Sequence, residues 1–165
     1  MERKSNFTTA IVQTAIIAAV YAVLTVIVTP FMSYGAIQFR IAEILTLLCF
    51  YSRKHCPALI LGCFIANLFS PLGLIDLIAG TSATAASVIL MSRVKNIWIA
   101  SLFPVIVNGL IVGAELSCVF ATPFWLNVGY VAFGEFVVIT VIGVPLFKFI
   151  VKNTAVKRFI VGGAK

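Results

Sequence analysis

Charge is scarce in this chain. Asp, Glu, Lys and Arg together make up 10% of its 165 residues, and only five of them are acids. A soluble domain carries about 25% charged residues, so a surface built to face water all round is excluded. There is one histidine, His55, and it reads as a loop residue despite its neighbour Cys56. The four cysteines (Cys49, Cys56, Cys63, Cys118) show no CxxC spacing, which argues against a disulfide framework or a zinc centre. No GxxxxGK[ST] phosphate loop, no HExxH and no spacing of a nucleophilic triad occurs. Neither an energy source nor covalent chemistry is visible, so the expectation is a binding protein and not an enzyme, with no cofactor and no metal. The net charge of +7 is spread between apolar runs and not gathered on a polar segment, which argues against a nucleic-acid partner.

What the chain has in abundance is apolar sequence: 62% of it is hydrophobic, with a mean hydropathy of +1.15. The lipid bilayer is the solvent that suits it. Apolar runs extend from Ala10 to Phe31, Ile41 to Tyr51, Pro57 to Phe69, Leu72 to Met91, Ile97 to Phe120 and Val128 to Val151. A crossing helix takes about 20 residues, so six crossings take roughly 120 and leave about 45 for connections. The expected fold is therefore an all-α membrane protein, with six transmembrane helices in one compact bundle spanning residues 1–165 as a single domain. The helices are placed near 10–31, 40–51, 57–69, 72–91, 97–120 and 128–151. The second and third are too short to cross unaided and must borrow flanking residues or thin the bilayer. A re-entrant hairpin is the alternative, but it leaves Arg53, Lys54 and His55 at membrane depth, where cations are costly. Arg3 and Lys4 precede the first run as in a signal peptide, yet the uncharged stretch from Phe7 to Ser33 is too long for a signal core and reads as a retained helix.

Basic residues near helix ends favour the cytoplasm. With six crossings and both termini inside, eleven of the twelve Lys and Arg residues fall on the inner side and only Arg40 falls outside. No repeat relates the two halves, which weakens an inverted-repeat transporter. The same topology puts every acid but Glu2 in the outer half. Glu43 and Asp76 lie near the outer ends of the second and fourth helices, and Glu115 and Glu135 lie some six residues below the outer ends of the fifth and sixth. Gln38, Arg40, Asn67 and Asn108 accompany them. Arg40 and Glu43, three apart, are expected to pair, and Asp76 suits a helix N-terminus. One arginine cannot neutralise four carboxylates, so some acids are protonated or await a cationic ligand. Trp125, placed in the outer loop, and Tyr130 read as interfacial anchors or as stacking partners for a flat ligand. Such a cluster suits a small, planar, hydrogen-bonding cation.

On the first helix Ala15, Ala18, Ala19 and Ala22 form a stripe of small residues, which lets another helix approach closely, within the chain or beyond it.

The segment from Tyr34 to Leu48, Tyr-Gly-Ala-Ile-Gln-Phe-Arg-Ile-Ala-Glu-Ile-Leu-Thr-Leu-Leu, resembles the hallmark of the QueT family, the queuosine-precursor-binding S components of energy-coupling factor (ECF) transporters. Gly62 to Leu68, Gly73 to Asp76 with Gly80-Thr81, Asn108-Gly109, Gly113 to Glu115, Gly134-Glu135 and Gly143 to Leu146 extend the resemblance over nearly the whole chain. It implies a six-helix subunit in a bacterial cell membrane that captures a 7-deazaguanine such as preQ1 or queuine outside. A transmembrane coupling subunit driven by two ATPases then brings the ligand inward. It also implies that the alanine stripe meets the coupling subunit. A carboxylate can accept the ring N–H and exocyclic amine of a deazaguanine in two parallel bonds, for which Glu115 and Glu135 qualify. Gln38, Arg40, Asn67 and Asn108 can serve its carbonyl. The loop from Met32 to Arg40, with Gly35 as hinge, is the expected lid. Two alternatives stay open: an S component for a thiamine- or flavin-like molecule, and a stand-alone organic-cation transporter using its acids as proton relays.

Overall fold

The computed structural model describes residues 2–33 and 39–161, and every regular element among them is helical. Helix α1 (Glu2–Val23) continues through a π-helical stretch (Leu24–Val28) to the short α2 (Pro30–Ser33). A 3-10 helix (Ile41–Leu47) runs into α3 (Leu48–Tyr51), and a 3-10 turn (Arg53–His55) leads to α4 (Cys56–Asn67). Then come α5 (Leu74–Met91) and α6 (Ile97–Phe120). Next, α7 (Phe124–Glu135), a π-helical stretch (Phe136–Gly143) and α8 (Val144–Ile150) form one rod, followed by α9 (Thr154–Val161). Four segments are long and apolar enough to cross a bilayer: Thr8–Val28, Leu74–Met91, Ile97–Phe120 and Phe124–Ile150. Their outer faces are apolar, with Ile27, Leu74, Ile78 and Phe149 more than two-thirds exposed, as lipid-facing side chains must be.

The segment Ile41–Tyr51 lengthens itself by backbone geometry. Seven of its residues are 3-10 helical and four α-helical. At rises of about 2.0 and 1.5 Å per residue they reach roughly 20 Å, where an α-helix of equal length reaches roughly 16 Å. Helix boundaries follow local chemistry. Asn96 accepts the backbone N–H of Trp98 at 2.9 Å and caps α6. At its far end Ala121 adopts a left-handed conformation (φ 53°), and Pro123 then opens α7. The last rod thus begins at Phe124 and not near 128, so Trp125 stands in its first turn and not in a loop. Glu135 lies eleven residues below that start, roughly 16 Å deep.

Neighbouring helices close a ring: α1 packs on α4, α4 on α5, α5 on α6, and α6 on α7. The π-helical stretch of the last rod packs on the 3-10 helix, which returns to α1. Small residues permit this closeness. A Cβ on Gly62 would lie 2.8 Å from the Tyr21 Cβ and 3.0 Å from the Ala18 carbonyl oxygen. One on Gly113 would lie 2.9 Å from the backbone of Val128. The larger apolar core, including Leu47, Leu59, Met91, Ile139 and Val144, is fully buried. At its edge His55, far from an exposed loop residue, is buried and bonds through Nε2 to the Ile160 carbonyl oxygen at 2.8 Å. That contact fastens α9 to the turn before α4.

Gly113→Ala should therefore force α6 from α7 and cost about 1–3 kcal/mol of stability. Gly129→Ala, with nothing within 4 Å of the added methyl, should be neutral or stabilising by up to about 1 kcal/mol. Thermal unfolding in detergent checks both, and equal effects at the two glycines would refute the packing argument.

Candidate functional site

The end of the ring where α4 stops and α5 begins is polar inside. Asn67, at the end of α4, donates from Nδ2 to the Asp76 carbonyl oxygen at 3.2 Å and to the Cys63 sulfur at 3.4 Å. Thr84 donates to the same sulfur at 3.2 Å. Gly80 makes this possible, because a Cβ there would sit 2.6 Å from Asn67 Nδ2 and 2.9 Å from Asp76 Oδ1. Asp76 occupies the first turn of α5, where the helix dipole favours negative charge.

Arg40 completes this corner, and its partner is not the one its spacing suggests. Its Nη2 lies 3.3 Å from Asp76 Oδ2, and its Nε donates to the Ser33 carbonyl oxygen at 3.3 Å. Arg40 precedes the 3-10 helix with a non-helical backbone (φ −73°, ψ 89°), so the rule for residues three apart on a helix does not apply to it. Glu43 turns instead to α1, where the Tyr21 hydroxyl donates to its Oε1. All four side chains are buried.

Across the ring, Asn108 on α6 donates from Nδ2 to Glu135 Oε1 at 2.7 Å. Glu115, two turns nearer the end of α6, is buried with both carboxylate oxygens unpartnered. The charges of Asp76 and Arg40 reach Glu115, and those of Glu43 and Arg40 reach Glu135. The four acids thus belong to one cluster. Among the described residues, the buried side-chain atoms lacking a hydrogen-bond partner are Glu43 Oε2, Asn67 Oδ1, Asp76 Oδ1, Asn108 Oδ1, both Glu115 oxygens, Glu135 Oε2 and the hydroxyls of Thr81 and Ser87. With the acids ionised, seven of the nine are acceptors only. Chemically, the cluster can hold a group rich in N–H donors. No group of three or more His, Cys, Asp and Glu side chains is gathered for a metal ion among the described residues.

The structure thus brings together Arg40, Glu43, Asn67, Asp76, Asn108, Glu115 and Glu135. Gln38 and the lid hinge Gly35 lie outside the described residues. Trp125 (75% exposed) and Tyr130 (38%) stand outside the buried cluster. The alanine stripe divides: Ala15 and Ala19 are exposed, whereas Ala18 and Ala22 are buried, Ala18 against α4. A further polar stripe went unread in the sequence. Tyr21, Thr25, Thr29 and Ser33 recur every fourth residue, and all four are buried. Thr25 donates to the Tyr21 carbonyl oxygen at 2.9 Å, Thr29 to that of Leu24 at 2.8 Å, and the Thr29 and Ser33 hydroxyls are 3.1 Å apart. The i, i+4 recurrence of hydroxyls within an apolar run was the signal.

Apolar helices enclosing a cluster of unsatisfied acceptors define a multi-pass membrane protein of the kind that carries small polar molecules. The comparisons make that class specific: the chain matches the QueT transporter family over residues 11–152 and belongs to it. It is 35% identical over 150 residues to the queuosine precursor transporter QueT of Lactococcus lactis subsp. cremoris (strain MG1363), an alignment covering 81% of this chain and 87% of that protein. No solved structure matches the chain at a significant level.

The acids should separate by role in ligand-free protein. Asp76→Asn removes the counter-charge of buried Arg40 and should cost about 3–5 kcal/mol. Glu115→Gln removes no internal bond and should leave stability unchanged or raised. Thermal unfolding of both variants tests this; a Glu115→Gln loss as large as that of Asp76→Asn would place Glu115 in the structural framework.

Proposed function

We propose that the chain is the substrate-binding S component of an ECF-type importer, capturing a queuosine precursor outside the cell and delivering it inward with an ATP-driven partner. In this reading residues 1–165 form one integral membrane domain that crosses the membrane six times, with the segments Ile41–Tyr51 and Cys56–Asn67 as the two short crossings. Both termini are cytoplasmic, as the distribution of eleven basic residues inside and Arg40 outside supports. The polar cluster then opens toward the exterior. The partners are a transmembrane coupling subunit and two ATPase subunits, consistent with the absence of a phosphate loop from the sequence.

The carrying observation is the surplus of buried acceptors on Asn67, Asp76, Asn108, Glu115 and Glu135. A 7-deazaguanine answers it. Its ring N–H and exocyclic amine are parallel donors suited to the two open oxygens of Glu115. An aminomethyl arm carries a cation suited to Glu135 Oε2 and Asn108 Oδ1. Guanine itself presents a ring nitrogen lone pair at the position where the deazaguanine has carbon, and a lining of acceptors disfavours it. Arg40, beside its bonds to Asp76 and Ser33, and Gln38 are the candidate donors to the ligand carbonyl. The name of the Lactococcus relative points to the same ligand class. The exposed face of α1, with Ala15 and Ala19 between Ile11, Val12, Ile16 and Val20, is the surface offered to the coupling subunit.

Calorimetry on the purified chain should show binding of 7-aminomethyl-7-deazaguanine without ATP, more tightly than the nitrile analogue or guanine. Glu115→Gln should weaken it by about 2–5 kcal/mol, the cost of breaking a buried charged hydrogen bond. Unchanged affinity in that variant, or preference for the nitrile, would overturn the ligand assignment. In proteoliposomes the chain alone should not accumulate ligand.

Ala19→Leu should weaken co-purification with the coupling subunit while sparing ligand affinity. Ala18→Leu should lower the stability of the chain itself by about 1–3 kcal/mol through overpacking. Normal assembly of the Ala19 variant would reject this face as the interface.

A further inference from the structure

Tyr21 has no place in the ligand contacts described above, yet its side chain is the point where α1 meets the polar cluster. It is wholly buried, and a methyl on Gly62 would lie 2.8 Å from its Cβ, so α1 and α4 meet closely at this residue. Its hydroxyl donates to Glu43 Oε1, while Glu43 Oε2 is buried and unpartnered. Arg40 is the buried arginine among the described residues, and it stands three residues before Glu43, whose backbone N–H donates to the Arg40 carbonyl oxygen at 2.9 Å. Its charge reaches Glu43, Glu115 and Glu135 as well as Asp76. Arg40 is thus paired with Asp76 and tethered to Glu43 through the backbone, and the carboxylate it serves decides which acid remains for a ligand.

We propose that Tyr21 is a positioning residue for ligand recognition: by holding Glu43 it keeps Arg40 on Asp76 and presents the second Glu43 oxygen to the bound molecule. Without the hydroxyl, Glu43 Oε1 loses its donor beside an arginine anchored three residues away. Turning Arg40 to Glu43 then relieves that carboxylate at the expense of Asp76. The rest of the stripe favours the observed arrangement, because the Ser33 carbonyl oxygen that accepts from Arg40 Nε lies at the end of the Tyr21, Thr25, Thr29, Ser33 series. The helix that faces outward with Ala15 and Ala19 thus also sets the charge pattern inside. This rests on the reading of the cluster as a ligand site.

The test is a double-mutant cycle on the full chain, read as calorimetric affinity for 7-aminomethyl-7-deazaguanine. Tyr21→Phe, which keeps the buried ring, should weaken binding by about tenfold or more, as expected for loss of a hydrogen bond to a charged group. In a Glu43→Gln background the same change should have little further effect, since Tyr21 acts through that carboxylate. An unchanged affinity in Tyr21→Phe, or an equal loss in both backgrounds, would overturn the proposal. A parent protein that does not bind the deazaguanine would instead overturn the ligand assignment. The positioning role is then decided without ligand, by infrared difference spectra of the Glu43 carboxylate, identified by its disappearance in Glu43→Gln. Its stretching band should shift in Tyr21→Phe, and a band left in place would reject the role.

Discussion

Inside a ring of apolar helices, a polar group has no water to turn to and must be answered by another group of the same protein. In this chain donors are in short supply. Tyr21 serves Glu43, Arg40 serves Asp76, Asn67 serves the Asp76 backbone and the Cys63 sulfur, and Asn108 serves Glu135. Among the described residues Glu43, Asp76 and Glu135 each keep one buried side-chain oxygen without a partner, and Glu115 keeps two. The glycines express the same constraint from the steric side. Gly80 yields the space in which Asn67 and Asp76 meet, Gly62 brings α4 against α1, and a Cβ on Gly143 of the last rod would lie 3.1 Å from Leu47 on the 3-10 helix. Filling any of these spaces separates a donor from its acceptor or a wall of the ring from its neighbour.

The backbone departs from α-helical geometry beside the cluster. The π-helical stretch Leu24–Val28 begins three residues after Tyr21, the one at Phe136–Gly143 begins immediately after Glu135, and the 3-10 helix carries Glu43. Such insertions and tightenings re-aim the side chains next to them, which is why they gather at functional sites. Here they let three helices of different length present Tyr21, Glu43 and Glu135 to one interior. The same 3-10 segment also lengthens the short apolar segment Ile41–Tyr51, so its reach and the presentation of Glu43 have one structural cause.

Much of this was legible in the sequence. The run from Ile97 to Phe120 matches α6 residue for residue, because Asn96 caps its start and the connection through Ala121 and Pro123 breaks it. The gathering of Glu43, Asp76, Glu115 and Glu135 at one end follows from where acids fall along alternating helices. What spacing concealed was partnership. Arg40 and Glu43 are three apart, but that rule presumes helix, and Arg40 stands before the helix begins. The start of the last rod was misplaced because Phe124 to Asn127 looked like loop after Pro123, although proline commonly opens a helix. The Ala stripe was read as one face because its spacing fits one. The structure shows that Ala18, against α4, and Ala22 are buried while Ala15 and Ala19 are exposed. The hydroxyls of Thr25, Thr29 and Ser33 were passed over as isolated polar residues in an apolar run.

The uneven treatment of the four acids has an energetic meaning. An acceptor left bare in an apolar interior costs free energy that one further hydrogen bond recovers. A framework optimised for its own stability would remove such atoms, as Asp76 and Arg40 do for each other. Glu115 is different, since no described residue donates to it and its neighbours among the acids add to its isolation. On the proposed reading, the ligand-free bundle carries a cost localised at the atoms a donor-rich molecule would touch, and binding would remove it. Affinity then arises from what the protein withholds from itself as much as from new contacts. The stabilisation grows with ligand concentration, because only the folded ring assembles the acceptors.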